Sequence, residues 1–152
     1  LSISPNNSWL AYGVDPVSRR IYEIFFKNLN TGETLTTSIK NSTGSVAWAN
    51  DNQTVFYTSK NEVTLLGEKI WKHKIGSKDT DVMMYHETDE TFYNGVYRSK
   101  SGKFIIIYHS RTLLNDYQIL NADDPNGSFK RFTSRTFDHE YSIDHYNDSF
   151  IS

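Results

Sequence analysis

A polar turn followed by a hydrophobic strand occurs four times along the chain. The clearest copy runs from Trp48 to Tyr57, where an Asn- and Asp-rich stretch leads into β-branched and aromatic residues. Asn and Asp favour tight turns because their side chains bond the neighbouring main chain, and β-branched and aromatic residues favour strands. The equivalent position in the four copies is occupied by Trp9, Thr54, Phe104 and Phe150. Successive copies are therefore about 45 to 50 residues apart, which is the length of a four-stranded propeller blade.

Each repeat shows the same order of extended segments: a strand, a loop, a second strand ended by a polar turn, a returning strand and a short inner strand. We predict strands over residues 9–12, 21–29, 34–39, 45–48, 54–58, 68–75, 81–85, 92–97, 104–108, 116–120 and 129–132. No segment keeps apolar residues at i, i+3, i+4 and i+7 over about ten positions, so the sequence predicts no helix. The fold class is therefore all-β, and the architecture is a partial β-propeller of about three consecutive four-stranded antiparallel blades.

Composition and charge exclude several classes of partner. Sixteen Lys and Arg stand against eighteen Asp and Glu, giving a formal net charge of −2. The basic residues are not concentrated on one predicted face, so nucleic acid is a poor candidate. The chain has no Cys, which excludes disulfide and thiolate chemistry. No apolar run approaches the roughly 18 residues of a transmembrane helix, so we expect no membrane partner.

The repeat count suggests that the chain is part of a longer protein. About three and a third repeats are present, whereas a closed propeller needs at least about four blades. The chain also begins inside a strand-turn-strand unit, without Met, and ends at Ser149 to Ser152, where a new blade strand begins. An open array leaves strand edges exposed, through which two chains can pair or exchange strands.

The sequence contains no motif for a serine nucleophile. Ser45, Ser77 and Ser128 each follow a Gly, but none lies in the Gly-x-Ser-x-Gly spacing that precedes a helix in hydrolases. We therefore interpret all three as turn serines. No catalytic residue is assigned to this chain.

Two groups of residues resemble metal ligands only weakly. His139 and His145 are six residues apart, whereas a metalloprotease helix needs His-Glu-x-x-His to place both rings on one face. The Asp123-Asp124 pair precedes Asn126-Gly127 as in a calcium loop, but Thr133 stands where the EF-hand pattern requires Glu. We predict no metal site and no cofactor.

Arg19 and Arg20 form a basic pair in the connection between the first two predicted strands. Such connections emerge at one rim of a propeller, where partners bind. One interpretation is an exposed pair with weak surface ion pairs, which contribute little to stability. The other is a contact with another domain.

Several strings of this sequence are far more specific than a generic blade pattern. They are Ser18 to Tyr22, Phe26 to Gly32, Val46 to Asp51, Val63 to Leu66, Ile70 to Gly76 and Asp138 to Tyr146. They resemble the oligopeptidase B (protease II) branch of the prolyl oligopeptidase family of serine peptidases. The resemblance covers essentially the whole chain.

The resemblance implies both a fold and a function. That family joins a seven-bladed N-terminal propeller to a C-terminal α/β-hydrolase domain carrying Ser, Asp and His, and it cleaves short peptides, in this branch after Arg or Lys. Residues 1–152 would lie within the propeller, which gates substrate access, and the hydrolase domain would be absent from them. The chain alone should then be inactive, and its partners would be its own hydrolase domain and short peptides.

The resemblance also implies a role for the arginine pair. We expect a cytoplasmic protein, with the periplasm as the alternative. Arg19 or Arg20, and Arg20 in preference, would form an ion pair with a carboxylate of the hydrolase domain. The alternatives are a free-standing propeller that binds proteins and a metal- or sugar-binding β protein.

Overall fold

The computed structural model describes residues 1–15, 18, 20–61, 63–77, 80–111, 114–131, 144–146 and 149–151. Every helix or strand element in these ranges is a β-strand, which confirms the all-β prediction. The strands are β1 (Ser2–Ile3), β2 (Trp9–Val14), β3 (Tyr22–Asn28), β4 (Ile39–Trp48), β5 (Thr54–Lys60), β6 (Gly67–Lys74), β7 (Val82–His86), β8 (Tyr93–Arg98), β9 (Phe104–Arg111), β10 (Leu114–Asn121), β11 (Lys130–Arg131), β12 (Asp144–Tyr146) and β13 (Ser149–Ile151). The described residues include no helix that could cross a membrane.

The strands pair in chain order and antiparallel, as a propeller requires. Strands β1 to β7 form one seven-stranded sheet, β8 to β11 form a four-stranded sheet, and β12 pairs with β13. Blade 1 comprises β1, β2, β3 and the first part of β4, and blade 2 comprises the rest of β4 with β5, β6 and β7. Blade 3 is the β8–β11 sheet, and β12 and β13 begin a fourth blade.

The turn that enters the second strand of each blade repeats closely. Asn7, Asn52 and Gly102 have φ values of 62°, 61° and 72°. Each donates its backbone N–H to the carbonyl three residues earlier, at 2.9, 3.4 and 3.0 Å respectively. Left-handed backbone favours Asn and Gly. These equivalent positions confirm the repeat register predicted for the first three blades.

Strand β4 differs from its prediction. Residues 34–39 were expected to form a returning strand and 45–48 a separate inner strand, but one strand runs from Ile39 to Trp48. Before it, Thr34 makes only an isolated bridge to Lys27. The register shifts between Ser42 and Val46, and Gly44 has a φ of +93°. A glycine at this bend lets a single strand pass from blade 1 to blade 2.

Blade 2 is buried on both faces. Consecutive residues of β5 point to opposite sides, so that Val55 and Tyr57 pack towards blade 1 and Phe56 packs towards blade 3. The blade 1–2 cluster comprises Ala11, Ile24, Phe26, Ile39, Val46, Trp48, Val55, Tyr57 and Ile75. The blade 2–3 cluster comprises Ala47, Ala49, Phe56, Ile105, Leu120 and Ala122. Face-to-face packing of twisted sheets therefore supplies the core.

Candidate functional site at the loop rim of blades 1 and 2

Arg20 lies in the β2–β3 loop, as the sequence predicted, and its main chain is held on both sides. Its N–H donates to Asp15 Oδ2 at 2.8 Å, and its carbonyl accepts from Lys60 Nζ at 2.7 Å. Its φ of 60° lies in the left-handed region. The side chain is exposed. The loop therefore presents the Arg20 guanidinium to solvent from a fixed backbone, whereas Arg19 lies outside the described residues.

The β5–β6 loop stands beside Arg20 and has its own internal scaffold. The carboxamide oxygen of Asn61 accepts from the N–H groups of Val63 and Thr64, at 2.8 and 3.0 Å. The Asn61 main chain also bonds Leu65 and Leu66, and Leu65 has a φ of 61°. Val63 at the tip is 90% exposed. We refer to this loop, the β2–β3 loop and the lysines near the adjoining strand ends, Lys40, Lys60 and Lys69, as the basic rim.

A shallow groove runs along the basic rim between the two blades. Lys40, Lys60 and Lys69 line it, and Glu68 is the acidic residue among its lining residues. Trp71 also lines it, and the indole N–H donates to the hydroxyl of Ser59, another lining residue, at 2.9 Å. Lysine ammonium groups attract carboxylates, and this attraction weakens with salt. The rim can therefore bind an acidic surface.

A polar cluster that includes the groove residue Tyr57 was not predicted from the sequence; Tyr57 and His73 are buried and Asp81 is half-buried. The Tyr57 hydroxyl donates to Asp81 Oδ2 at 2.5 Å, and His73 Nδ1 lies 2.6 Å from Asp81 Oδ1. The His73 ring stacks on Phe26 of blade 1, with ring centroids 5.6 Å apart. We call Tyr57, His73 and Asp81 the blade latch, because they join β5, β6 and the turn before β7 to the face of blade 1.

The surroundings of the blade latch set the ionisation of its members. Burial, and then the hydrogen bond to Asp81, raise the pKa of Tyr57 far above its ordinary value. Burial alone would raise the pKa of Asp81, but hydrogen bonds from His73 and Tyr57 and the charge of His73 together lower it. The phenol therefore stays protonated and the carboxylate ionised. This arrangement suits a structural contact, since a phenol held protonated is a poor nucleophile.

A second buried histidine joins blade 3 to blade 2. His109 is fully buried, with Nδ1 2.6 Å from Asn94 Oδ1 and Nε2 2.9 Å from Gln118 Nε2. An amide oxygen accepts and an amide nitrogen donates, so these partners select the neutral ring protonated on Nδ1. Asn94 Nδ2 in turn donates to the carbonyl of Gly67 at 2.9 Å. His109 is therefore a structural residue.

The structure describes the weak metal candidates of the sequence only in part. Asp123 Oδ1 accepts from Asn50 Nδ2 at 2.7 Å, which ties blade 3 to the turn of blade 2. In the ranges that the structure describes, no three His, Cys, Asp or Glu side chains are grouped as metal ligands. His139 is outside those ranges, and only the backbone of His145, in β12, is described.

The predicted turn serines have two different positions. Ser77 and Ser128 follow β6 and β10 in connections, in line with the prediction. Ser45 lies within β4 instead, because that strand continues through the blade junction. Within the described ranges, none of the three is followed by a helix.

Comparison with known proteins places this geometry in a family. Residues 1–152 match the prolyl oligopeptidase N-terminal β-propeller domain. Dipeptidyl aminopeptidase BI from Pseudoxanthomonas mexicana is 37% identical over 150 residues, which are 98% of this chain and 21% of that protein. Protease 2 from Moraxella lacunata is 29% identical over 152 residues, 98% of this chain and 22% of that protein.

A solved structure shows the same fold. Oligopeptidase B from Leishmania major superposes with a TM-score of 0.86 at 22% identity, covering 95% of this chain and 21% of that one. The chain thus spans about a fifth of the length of these relatives. With its blades, its repeat register and a match along its full length, the chain belongs to the family of prolyl oligopeptidase N-terminal β-propeller domains.

Proposed function

We propose that residues 1–152 are a non-catalytic propeller segment of a serine oligopeptidase that hydrolyses short peptides after Arg or Lys. The observation that carries the proposal is the family match over the whole chain. The chain itself has no Gly-x-Ser-x-Gly motif, so the chemistry belongs to a hydrolase domain elsewhere in the protein. The isolated segment is inactive.

The role of the segment is to restrict access to that hydrolase domain. Blade 2 is covered on both faces, and its strands are hydrogen-bonded along their length. A blade packed and hydrogen-bonded in this way opens locally only at a high cost in free energy. Peptides then reach the active site only by a route of limited width, or when the domains separate, and folded proteins are excluded.

Hydrolysis of a chromogenic substrate with Arg at the cleaved bond tests the activity. The full-length protein and residues 1–152 are compared at equal concentration, with Lys and Ala substrates as specificity controls. We expect turnover of the Arg and Lys substrates by the full-length protein alone. An inactive full-length protein would favour the free-standing protein-binding propeller.

A size series tests the gating role separately. The full-length protein is given a short Arg peptide, the same sequence inserted in a long unfolded chain, and the same sequence in an exposed loop of a folded protein. We expect cleavage of the short peptide and no cleavage of the folded protein. Equal cleavage rates for all three substrates would contradict gating while leaving the peptidase assignment intact.

Arg20 is the proposed contact to the hydrolase domain. Its backbone is fixed and its side chain is exposed on the basic rim, so it can reach a carboxylate across an interface. Arg20→Glu reverses the charge and should raise KM about three- to tenfold, since rim charges contribute about 1 kcal/mol. The matched control is Lys100→Glu. Lys100 lies in the exposed β8–β9 turn of blade 3, at the opposite end of the strands from the Arg20 loop. Unchanged KM in Arg20→Glu would refute the contact.

Release of dipeptides from a free amino terminus is a second candidate activity. It is favoured by the higher identity to dipeptidyl aminopeptidase BI, 37%, than to protease 2, 29%. A pair of chromogenic dipeptides with the same sequence, one with a free and one with a blocked amino group, separates the two activities. Turnover of the free form alone indicates an aminopeptidase, and turnover of the blocked form indicates an endopeptidase.

Location and assembly complete the proposal. We place the protein in the cytoplasm, with the periplasm as the alternative, and cell fractionation of a producing strain distinguishes them. If exposed strand edges pair, residues 1–152 should sediment as a dimer. The full-length protein should sediment as a monomer.

A further inference from the structure

The chain contains two Asn-Gly dipeptides in contrasting surroundings, Asn94-Gly95 and Asn126-Gly127. Asn residues are thermolabile, and an Asn followed by Gly is the most exposed to the reaction because Gly has no side chain to obstruct attack at the Asn carboxamide. From the geometry, we propose that Asn126 is a site of spontaneous deamidation and that Asn94 is protected. This inference is independent of the proposed peptidase function.

The reaction is intramolecular and balanced. The backbone nitrogen of Gly127 attacks Cγ of Asn126, the Cγ–Nδ2 bond breaks, and ammonia leaves with the proton from that nitrogen. A five-membered succinimide results. Water then opens the ring at either carbonyl, giving Asp or isoaspartate. The step requires the Asn side chain and the following peptide to rotate freely.

Asn126 gains that freedom when a single exposed turn opens. It is exposed, at the third position of a turn that Gly127 closes by donating its N–H to the Asp124 carbonyl at 3.0 Å. Its carboxamide Oδ1 accepts a hydrogen bond from Lys72 Nζ at 3.3 Å, on the exposed surface. Turns held by one or two exposed hydrogen bonds open readily.

Asn94 lacks it. It is 6% exposed, lies in β8, and has both ends of its carboxamide bonded, Oδ1 to His109 and Nδ2 to the Gly67 carbonyl. Its successor Gly95 is covered by the Tyr108 side chain, since a Cβ at Gly95 would lie 2.4 Å from it. Attack at Asn94 therefore requires β8 to detach from its neighbours first.

The two products at Asn126 would affect the structure differently. Asp retains the backbone and places a carboxylate next to the Lys72 ammonium. Isoaspartate adds a methylene to the main chain just before Phe129, whose ring contacts Phe56 of blade 2 edge-to-face at 5.5 Å. Strand β11 follows immediately, and in the part of the chain that the structure describes it pairs with β10 through two residue pairs. Isoaspartate should therefore loosen the outer edge of blade 3.

The experiment is peptide mapping by mass spectrometry of the full-length protein, incubated folded at mildly alkaline pH and sampled over time. We expect deamidation at Asn126 to be at least about tenfold faster than at Asn94, because β8 must open for the latter. In denaturant the two rates should converge, since the reacting dipeptides are identical. Comparable rates in the folded protein, or an Asn126 that reacts only in denaturant, would overturn the inference.

Two variants complete the test. Asn126→Gln keeps an amide but would need a larger ring, so it should abolish the modified species. Asn126→Asp supplies the normal product as a standard and should exchange its β10–β11 amides like the parent, whereas the isoaspartate species should exchange them faster. If the isoaspartate species exchanged its β10–β11 amides at the parent rate, the predicted loosening of the outer edge of blade 3 would be refuted.

Discussion

Replacing Tyr57 with Phe isolates one bond of the blade latch. The ring stays in the blade 1–2 cluster, and only the hydroxyl that donates to Asp81 Oδ2 at 2.5 Å is lost. Hydrogen bonds to charged groups contribute about 1.5–3 kcal/mol, so we expect a loss of about 2 kcal/mol at neutral pH. Asp81 keeps its bond to His73, so the half-buried carboxylate is not left without a partner.

The loss should depend on pH in a defined direction. The pKa of Asp81 lies below its ordinary value, so its stabilising contribution is present above that ordinary value and is lost as the pH falls through the folded pKa. A protonated carboxyl is a weaker acceptor. The cost of Tyr57→Phe should therefore shrink towards about 1 kcal/mol in acid.

Amide hydrogen exchange of β5 and β6 in the full-length protein measures this loss. A cost of about 2 kcal/mol corresponds to about thirtyfold faster exchange of protected amides in these strands. Taking the ratio of variant to parent at each pH cancels the intrinsic pH dependence of exchange. The control is Tyr12→Phe, which also removes a tyrosine hydroxyl but lies outside the blade latch. The half-buried Tyr12 ring stacks on Phe25, with ring centroids 5.7 Å apart. The role of the latch would be refuted if Tyr57→Phe exchanged these amides at the parent rate, or if the control variant exchanged them as fast as Tyr57→Phe.

Three further predictions concern packing and pH. Phe56→Ala should destabilise the blade 2–3 contact by about 3–5 kcal/mol, and Phe56→Leu by less, as measured by exchange in both blades. Gly44→Ala should lower the melting temperature more than Gly32→Ala, because both have positive φ but a Cβ at Gly44 would lie 2.8 Å from the Tyr22 ring; equal shifts would contradict this. Raising the pH above about 10 should destabilise the parent more than Tyr57→Phe, because the pKa of Tyr57 is raised and its stabilising contribution is lost as the pH rises. The free energy of unfolding of both proteins is measured against pH, and curves that stay parallel above about pH 10 would contradict this.

Local chemistry made much of the fold predictable. The turns at Asn7, Asn52 and Gly102 could be aligned because left-handed backbone selects a small set of residues, and the structure places all three in that conformation. Alternation and β-branching located most strands to within a few residues. The junction at Gly44 was missed, since residues 34–39 are as rich in Thr as a strand, and only tertiary pairing shows that the strand starts at Ile39.

The site was predictable only in part. The loop position of Arg20 followed from the strand order, but its fixation by Lys60 depends on a loop of the neighbouring blade. The blade latch depends on the register that pairs Tyr57 with Trp71 and on the turn that returns Asp81 beside His73. No short sequence pattern encodes such contacts between segments, because they arise from the packing of whole blades.

Strand β4 has a consequence for how the protein unfolds. It supplies the outer strand of blade 1 and the inner strand of blade 2 without a break. Peeling blade 1 away therefore strips the innermost strand from its neighbour, and the lost pairing in one blade is transmitted directly to the next. The smallest cooperative unfolding unit at this end of the array is then a pair of blades, so a single-blade truncation cut within β4 leaves neither half of the pair complete.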